Sequence, residues 1–307
     1  SAKDYHIEML SVGAADAFIL YVIDKQNNEH LILIDAGNYK DGDKIINHIR
    51  KYYNNPVIDL AIVTHCDDDH YGGFVRMLEK LSNGDRDAIT IRQFWVNDPG
   101  KNHIDVNDVK YVNSRPVVNN RAREIYNCRD LNLLELIDSL RIPRTEKFAE
   151  SINNGYGLPP IIRPDFHFTF LYIIGPTKAY YEELIPKFRD DLKYKESDNM
   201  YNESADLATN DSLSPTLDAA DDDSSAHNQS SMIVLFQPQE NKRYLFMGDA
   251  GREAFDRIPL YHKLKITNVD WLKVPHHGSK HNLDSKMIKR IKPKVAYISA
   301  NSNDEYA

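Results

Sequence analysis

The sequence predicts an α/β fold organised as one large domain over residues 1–307. Short apolar, β-branched runs such as residues 58–63, 232–236 and 269–274 are typical of buried strands, and each borders a polar turn. Apolar residues recur at helical spacing within residues 119–140, which predicts a helix there. With 307 residues, 41% of them hydrophobic, the chain can bury a substantial core.

The most informative segment is the polar loop at residues 64–73, which directly follows the strand predicted at residues 58–63. In an extended or tightly turned loop, its closely spaced imidazoles and carboxylates would project together, so that one short segment could ligate two neighbouring cations. A helix over residues 74–81 is expected to follow. The alternative is a solvated loop whose histidines are incidental. The candidate ligands are His65, Asp67, Asp69 and His70.

Three downstream segments carry further candidate ligands. An apolar strand ends in a Gly-Asp pair at Asp249, which could bridge two metals or, alternatively, cap a following helix. The adjacent His276 and His277 follow another strand on a tight turn, where a solvated surface pair is the alternative. His227 is the weakest candidate, because a lone histidine at the end of a polar stretch is more often solvated.

Taken in chain order, these motifs form a pattern that covers nearly the whole sequence. Its parts are residues 7–17, 31–37, 64–73, 174–176, 228–231, 247–249 and 275–280. The pattern resembles the metallo-β-lactamase fold hydrolases, and among them the group typified by the soluble nuclease domain of the competence protein ComEC. The resemblance implies a four-layer αββα sandwich with surface insertions, and two metals at the edge where its two sheets meet.

The resemblance also implies roles around two divalent metal ions. His65 and Asp67 would face the first metal, Asp69 and His70 the second, and Asp249 would bridge them. Asp69 and Asp249 would also be catalytic, because they would hold and orient the attacking hydroxide. The third histidine that is usual at the first metal has no certain equivalent, which leaves His227 or Asn228 as substitutes.

Around this centre the resemblance implies a supporting residue and a substrate side. Asp35 would support the metal loop by accepting hydrogen bonds. Of the adjacent histidines, we favour His277 as the ligand of the second metal and His276 as a catalytic residue that contacts the scissile phosphate or helps to protonate the leaving group. The residues expected to bind substrate are Gly278, Ser279, Lys280 and Asn228.

The identity of the metals depends on Asp67, because most of the superfamily has a histidine at this position. Exchanging a neutral imidazole for a carboxylate makes the site harder and more negative, which shifts its preference from zinc towards manganese or magnesium. Mn, Zn and Mg all stay open. Such a pair of cations suits phosphodiesters, since it can activate water and clamp both oxygens of an in-line displacement.

An acidic segment at residues 196–226 accounts for the negative charge of the chain. It contains nine acidic residues and no Lys or Arg, so that the rest of the chain has a formal charge of +1 rather than the −8 of the whole. This charge distribution weakens the objection to a polyanionic substrate. We interpret the segment as a flexible, solvated insertion, and an autoinhibitory mimic of nucleic acid is the alternative.

Two other regions bear on the substrate. The insertion at residues 98–165 separates two predicted core strands and is expected to shape the cleft. A basic cluster lies at residues 286–294, where Lys286, Lys289 and Arg290 would share one helical face. This face could guide a phosphate backbone, or it could be an ordinary solvated surface.

We therefore expect a binuclear metal-dependent hydrolase, and most of all a phosphodiesterase or nuclease that acts on DNA or RNA. The alternatives are a small-molecule metallohydrolase for lactones, thioesters or other esters, and a non-catalytic subunit of a defence or DNA-processing complex. The two cysteines, Cys66 and Cys128, are too few for a disulfide framework. Because no long apolar run or leader is visible, we expect a cytoplasmic protein without membrane contact, with protein partners of unknown identity.

Overall fold

Two β-sheets form the centre of the molecule. The computed structural model describes residues 1–100, 125–150, 162–188, 218 and 220–300. The first sheet has six strands, in the spatial order β1 (Asp4–Met9), β2 (Phe18–Ile23), β3 (Glu29–Ile34), β5 (Leu60–Ile62), β7 (Phe94–Trp95) and β10 (Arg144–Thr145). The strands from β1 to β3 pair antiparallel, and those from β3 to β10 pair parallel.

The second sheet has five strands, in the order β11 (Leu171–Gly175), β12 (Ile233–Gln239), β13 (Lys242–Phe246), β14 (Trp271–Lys273) and β15 (Val295–Tyr297). The first three strands pair antiparallel and the last three parallel. Two short strand pairs lie outside the main sheets, namely β4 (Val57–Ile58) with β6 (Thr90–Ile91), and β8 (Asn127–Cys128) with β9 (Leu131–Asn132).

Helices flank the sheets. Among the described residues they are α1 (Asp41–Tyr52), α2 (Asp68–Asn83), α3 (Leu133–Ser139), α4 (Lys178–Leu184), α5 (Ala226–Gln229), α6 (Arg252–Asp256), α7 (Leu260–Lys265) and α8 (Ser285–Ile291), with 3₁₀ turns at Ile185–Lys187 and His276–Gly278. None of these helices combines the length and the apolar character that crossing a membrane requires.

Alternating side chains along the strands separate the core into layers, because successive residues of a strand point to opposite faces. Phe18 of β2 lies between the two sheets together with Phe246 of β13. The neighbouring Ile19 and Leu245 point the other way and pack with the helices, as Phe74 of α2 does. Each such fully buried side chain contributes about 1.5–3 kcal/mol of hydrophobic stabilisation. This arrangement confirms the four-layer αββα sandwich that the sequence resemblance implies.

Parallel pairing brings several strand ends to one edge of the sandwich. The chain leaves β3 at Asp35 and β5 at the segment that carries His65, and these two strands are parallel neighbours. In the second sheet, β13 is followed by Asp249 and its parallel neighbour β14 by His276. The backbone N–H of Met232 donates to the Thr64 carbonyl at 2.8 Å, which ties the two sheets together at this edge.

The segment predicted as a polar loop at residues 64–73 is partly helical. Helix α2 begins at Asp68 rather than at residue 74, with Asp67 in extended conformation before it. Acidic residues in the first turn of a helix interact favourably with the macrodipole, which explains why the helix extends into this acidic run. Consequently Asp69 and His70 stand on a regular helix, and not on a loop as predicted.

The described part of the insertion at residues 98–165 extends the first sheet, because its strand β10 pairs with β7. The helix predicted over residues 119–140 is wrong for residues 126–132, where Arg129 and Asp130 adopt positive φ and turn the hairpin between β8 and β9. Residues 101–124 and 151–161 lie outside the described residues. So do residues 196–217 and 219 of the acidic segment.

Gly73 provides a test of how closely α2 packs on the first sheet. A Cβ at this position would lie 2.0 Å from the carbonyl oxygen of Ala36. Alanine normally favours a helix interior over glycine by about 0.5–1 kcal/mol, but an overpacked core costs about 1–3 kcal/mol. We therefore expect Gly73→Ala to lower the free energy of unfolding measured with urea. Ser82→Ala, exposed on the same helix, should leave it nearly unchanged, and a Gly73→Ala protein as stable as wild type would contradict the predicted clash.

Candidate metal centre

Segments that are far apart in the sequence meet at the shared edge of the two sheets. One ligand atom from each of His65, His70 and Asp249 lies within 4.8 Å of the other two, and we call these residues the first ligand group. Asp69, His70 and His277 satisfy the same criterion and form the second ligand group. The structure therefore brings together these five predicted ligands, and the two groups share His70.

A chain of two hydrogen bonds orients the buried ring of His65. Thr64 donates its only hydroxyl hydrogen to Asp35 Oδ2 at 2.7 Å, so its Oγ1 must accept from His65 Nδ1, which is 3.1 Å away. His65 therefore carries its ring hydrogen on Nδ1. Its Nε2 lone pair faces Asp67 Oδ2 at 3.5 Å and Asp249 Oδ2 at 3.7 Å.

The same carboxylate orients His70. Asp35 is buried, and its Oδ2 accepts a hydrogen bond from His70 Nδ1 at 2.7 Å. The Nε2 atom of His70 is then directed at the ligand groups, 3.3 Å from Asp249 Oδ2 and 3.7 Å from Asp69 Oδ2. As the sequence predicts, Asp35 accepts hydrogen bonds from the metal loop, and it fixes the tautomers of two histidines at once.

His277 repeats this pattern in the second sheet. Its Nδ1 is 3.0 Å from the backbone carbonyl of Ser299, which can only accept, so the ring hydrogen lies on Nδ1. Its Nε2 is 3.1 Å from Asp69 Oδ2. The turn that presents His277 has positive φ at His276, His277 and Gly278 (47°, 52° and 86°), a conformation that L-residues rarely adopt.

The Nε2 atoms of three imidazole rings thus face carboxylate oxygens at the centre. Among the described residues, the buried Nε2 atom of His65 has no hydrogen-bond partner. A buried polar atom left in this state costs about 1–3 kcal/mol. A cation removes this cost, and imidazole nitrogens with carboxylate oxygens are ligands that divalent metals prefer. The residues present therefore fit a metal centre.

Protons compete with metal ions for these nitrogens. Burial alone would lower the pKa of His70, but the charges of Asp249, Asp69 and Asp35 raise it well above the ordinary value. Burial would raise the pKa of Asp249, but the neighbouring His70 and Lys273 hold it well below the usual range. Without a metal ion, protonated His70 forms an ion pair with Asp249, and a metal must displace that proton to bind.

His227 lies beside the first ligand group although it was the weakest candidate. Its buried ring stands on α5, with Nδ1 3.6 Å from Asp67 Oδ1. Burial lowers the pKa of His227, whereas Cys66 and Asp67 raise it, to about 10. The structure thus connects His227 to the first ligand group through Asp67, and its role as a ligand stays a prediction.

The predicted substrate side faces the open edge of the centre. The side chain of His276 is 36% exposed, and its Nε2 is 4.0 Å from Asp249 Oδ2. Gly278 and Ser279 continue the turn, where the Ser279 N–H donates to the His276 carbonyl at 2.8 Å. Lys280 is exposed beyond it, and Arg252 donates to its carbonyl at 2.9 Å. The roles of these residues in binding substrate stay predictions.

Asn228 is placed differently from the other predicted substrate-binding residues, because it is buried behind His276. Its Nδ2 donates to Asp223 Oδ2 at 2.8 Å and lies 3.5 Å from His276 Nδ1. Ser231, further along the same segment, accepts the N–H of Asp249 on its Oγ at 3.0 Å. These contacts position residues of the centre, and a direct contact of Asn228 with substrate stays a prediction.

Sequence reasoning assigned no role to Asp16 and Lys273, which complete the centre. Lys273 is buried in β14, where its Nζ pairs with Asp16, donates to the Gly248 carbonyl at 3.1 Å and lies 3.7 Å from Asp249 Oδ1. Asp16 also accepts from Ser299 Oγ. A lysine inside an apolar strand was the available signal, because a buried charge is stable only when it is paired.

One prediction concerns Asp249, the carboxylate of the first ligand group. Asp249→Asn preserves the shape of the side chain and removes its charge, so we expect the affinity for Mn²⁺ or Zn²⁺ to fall by at least the roughly 10–100-fold typical of losing an outer partner. Titration calorimetry measures this affinity. Asp87→Asn is the matched control, because Asp87 lies beyond the far end of α2. Equal affinities of the two variants would contradict the proposed centre.

The second prediction concerns pH. Because the pKa of His70 is raised, metal binding at His70 should release a proton, and the apparent affinity should increase from about pH 6 to about pH 8. Calorimetry in two buffers of different ionisation enthalpy counts the released protons. His70→Ala should release fewer protons than wild type. Proton release that is absent in the wild-type protein would show that His70 does not exchange a proton for a metal.

Comparisons with known proteins match part of the chain to a family. The model of the Metallo-beta-lactamase superfamily matches residues 20–110, a range that includes most of the first sheet and the metal loop. ComE operon protein 3 of Bacillus subtilis is 33% identical over 82 residues, which are 26% of this chain and 10% of that protein. The chain therefore matches only about a tenth of the length of this relative.

Two solved structures are similar at lower levels. One is from Thermotoga maritima and is described as a metallo-beta-lactamase, with 12% identity, a TM-score of 0.37 and coverage of 87% of this chain and 94% of that one. The other is a beta-lactamase domain protein from Burkholderia ambifaria, with 13% identity, a TM-score of 0.24 and coverage of 55% and 45%. With TM-scores below 0.5 neither supports an argument, whereas the family match agrees with the ligand geometry. Over residues 20–110 the chain thus matches the metallo-β-lactamase superfamily.

Proposed function

We propose that the protein is a phosphodiesterase that uses two divalent metal ions to cleave nucleic acid. The observation that carries this proposal is that the two ligand groups are neighbours, with Asp249 Oδ2 lying 3.7 Å from His65 Nε2 and 3.3 Å from His70 Nε2. Two such neighbouring groups suit a pair of cations with a carboxylate between them. Bound there, the cations would polarise a phosphoryl oxygen, activate water near neutral pH and stabilise the charge of an in-line displacement.

In this proposal the candidate ligands are assigned to the two metals. His65 and Asp67 hold the first metal, with His227 as a further candidate. His70 and Asp69 hold the second.

The last protein ligand of the second metal is His277, whose Nε2 faces Asp69. Asp249 belongs to the first ligand group and would also serve the second metal, because its Oδ2 lies 3.3 Å from His70 Nε2. His276 stays outside this set on the exposed side, where its Nε2 can reach a phosphoryl or leaving-group oxygen.

The choice of metal follows from the charges around the centre. Asp67, Asp69 and Asp249 supply carboxylate oxygens to the ligand groups, and Asp16 lies just behind them. Lys273 is a buried cation that pairs with Asp16. Carboxylate-rich sites favour hard cations, so we expect Mn²⁺ or Mg²⁺ to support activity better than Zn²⁺.

Nucleic acid is the proposed substrate because the motif order resembles the nuclease domain of the competence protein, and because ComE operon protein 3 is similar over 82 residues. The basic face of Lys286, Lys289 and Arg290 supports a nucleic-acid substrate less than the sequence suggests. Lys286 pairs with Asp256 at 2.8 Å, which neutralises part of that face. Protein partners and a cytoplasmic location remain predictions from the sequence.

The test is a substrate panel with each metal in turn. Single-stranded, double-stranded and circular DNA, RNA and bis-p-nitrophenyl phosphate would be incubated with Mn²⁺, Mg²⁺ or Zn²⁺, beside a panel of lactones and thioesters. We expect cleavage of phosphodiesters, and a loss of at least about 10²-fold in kcat for Asp69→Asn. Asp87→Asn should behave like wild type.

Two results would overturn the proposal. Hydrolysis of lactones or thioesters alone would favour the small-molecule alternative on the same residues. Fewer than one bound metal per chain after reconstitution, together with no hydrolysis, would favour a non-catalytic subunit.

A further inference from the structure

The last acidic residue of the acidic segment has a side chain that is largely buried. Asp223 is the last of its nine acidic residues, and its side chain is only 10% exposed. Its Oδ1 accepts from the Ser225 N–H at 2.8 Å, and its own N–H donates to the His281 carbonyl at 3.1 Å. Asp223 is thus anchored through its side chain and its backbone, beside the turn that carries His276.

The orientation of Asn282 determines what His276 can do. Asn282 Nδ2 donates to Asp223 Oδ2 at 2.7 Å and to the Asp249 carbonyl at 2.9 Å, and both partners can only accept. The atom of Asn282 that faces His276 Nδ1, at 2.9 Å, is therefore Oδ1. Since Oδ1 also only accepts, His276 must carry a hydrogen on Nδ1. Its Nε2 is left to face the metal centre.

Asp223 contacts Asn282, Asn228 and His276 on the side of the ring opposite the metal centre. Its Oδ2 accepts from both Asn282 and Asn228, and it lies 3.4 Å from His276 Nδ1. Together with the Asp249 carbonyl, the carboxylate therefore sets the amide orientation of Asn282, and it lies beside Nδ1 of the His276 ring. None of its contacts is with a member of the two ligand groups.

We propose that Asp223 is a positioning residue of the phosphodiesterase: through Asn282 it holds the His276 ring so that Nε2 faces Asp249 and the reacting phosphate. The inference rests on the proposed function. Holding one reacting group in place is a large effect, because a misplacement of about 1 Å can cost about 10²-fold in rate. A residue that merely fastened the acidic segment would instead affect stability and metal binding together.

The test compares Asp223→Asn, Asp223→Glu and Asp221→Asn, the last removing the same charge from an exposed neighbour. For Asp223→Asn we expect kcat to fall by about 10–10²-fold, while KM and the metal affinity stay within about twofold of wild type. Asp223→Glu should recover part of kcat, and Asp221→Asn should match wild type. An unchanged kcat in Asp223→Asn, or equal losses in metal affinity and kcat, would overturn the proposal.

A second readout does not depend on turnover. ¹⁵N spectra of histidine-labelled protein, with His276 assigned from a His276→Gln variant, should show a protonated Nδ1 in wild type and a weakened or shifted Nδ1 signal in Asp223→Asn. Identical His276 signals in both proteins would overturn the positioning role. If wild type cleaves no phosphodiester, the proposed function fails, and the spectra still decide whether Asp223 orients His276.

Discussion

The carboxylate of Asp35 is the interaction on which the metal centre depends. It accepts hydrogen bonds from the backbone and hydroxyl of Thr64 and from His70 Nδ1, all within a buried pocket at the end of β3. Thr64 in turn orients His65. One carboxylate therefore fixes the tautomers of two histidines. The backbone of Asp35 has positive φ in this position. A bond to a buried charged acceptor is worth more than a neutral one, so this arrangement is rigid before any ligand binds.

The centre concentrates more negative charge than its own residues can neutralise. Lys273 is the one buried lysine within reach of Asp16 and Asp249 among the described residues, and the histidines can offset further charge only by taking up protons. Divalent cations resolve the same imbalance. Folding, proton binding and metal binding are therefore linked at this edge of the sandwich, because each of them compensates the same carboxylates.

The acidic segment contains a largely buried carboxylate, Asp223, although its composition predicts solvated residues. Composition predicts a solvated insertion, and that interpretation is sound for a tract that lacks large apolar residues. Asp223 nevertheless stands against His276 and joins both Asn228 and Asn282. Its burial depends on Asn228 of α5 and on His276 and Asn282, which follow β14, and composition cannot reveal these contacts.

The sequence by itself determined the fold class and predicted as candidate ligands the five residues that the structure brings together, because strands that end in His, Asp and Gly have a local pattern of apolarity and spacing. It could not determine that α2 begins at Asp68. A loop and a helix over residues 64–73 would have the same side chains and differ only in their backbone dihedral angles. Only the tertiary structure decided that Lys273 pairs with Asp16 and that Asp223 reaches His276. These contacts join residues on opposite sheets or separated by more than fifty positions, and their geometry is set by how the two sheets pack.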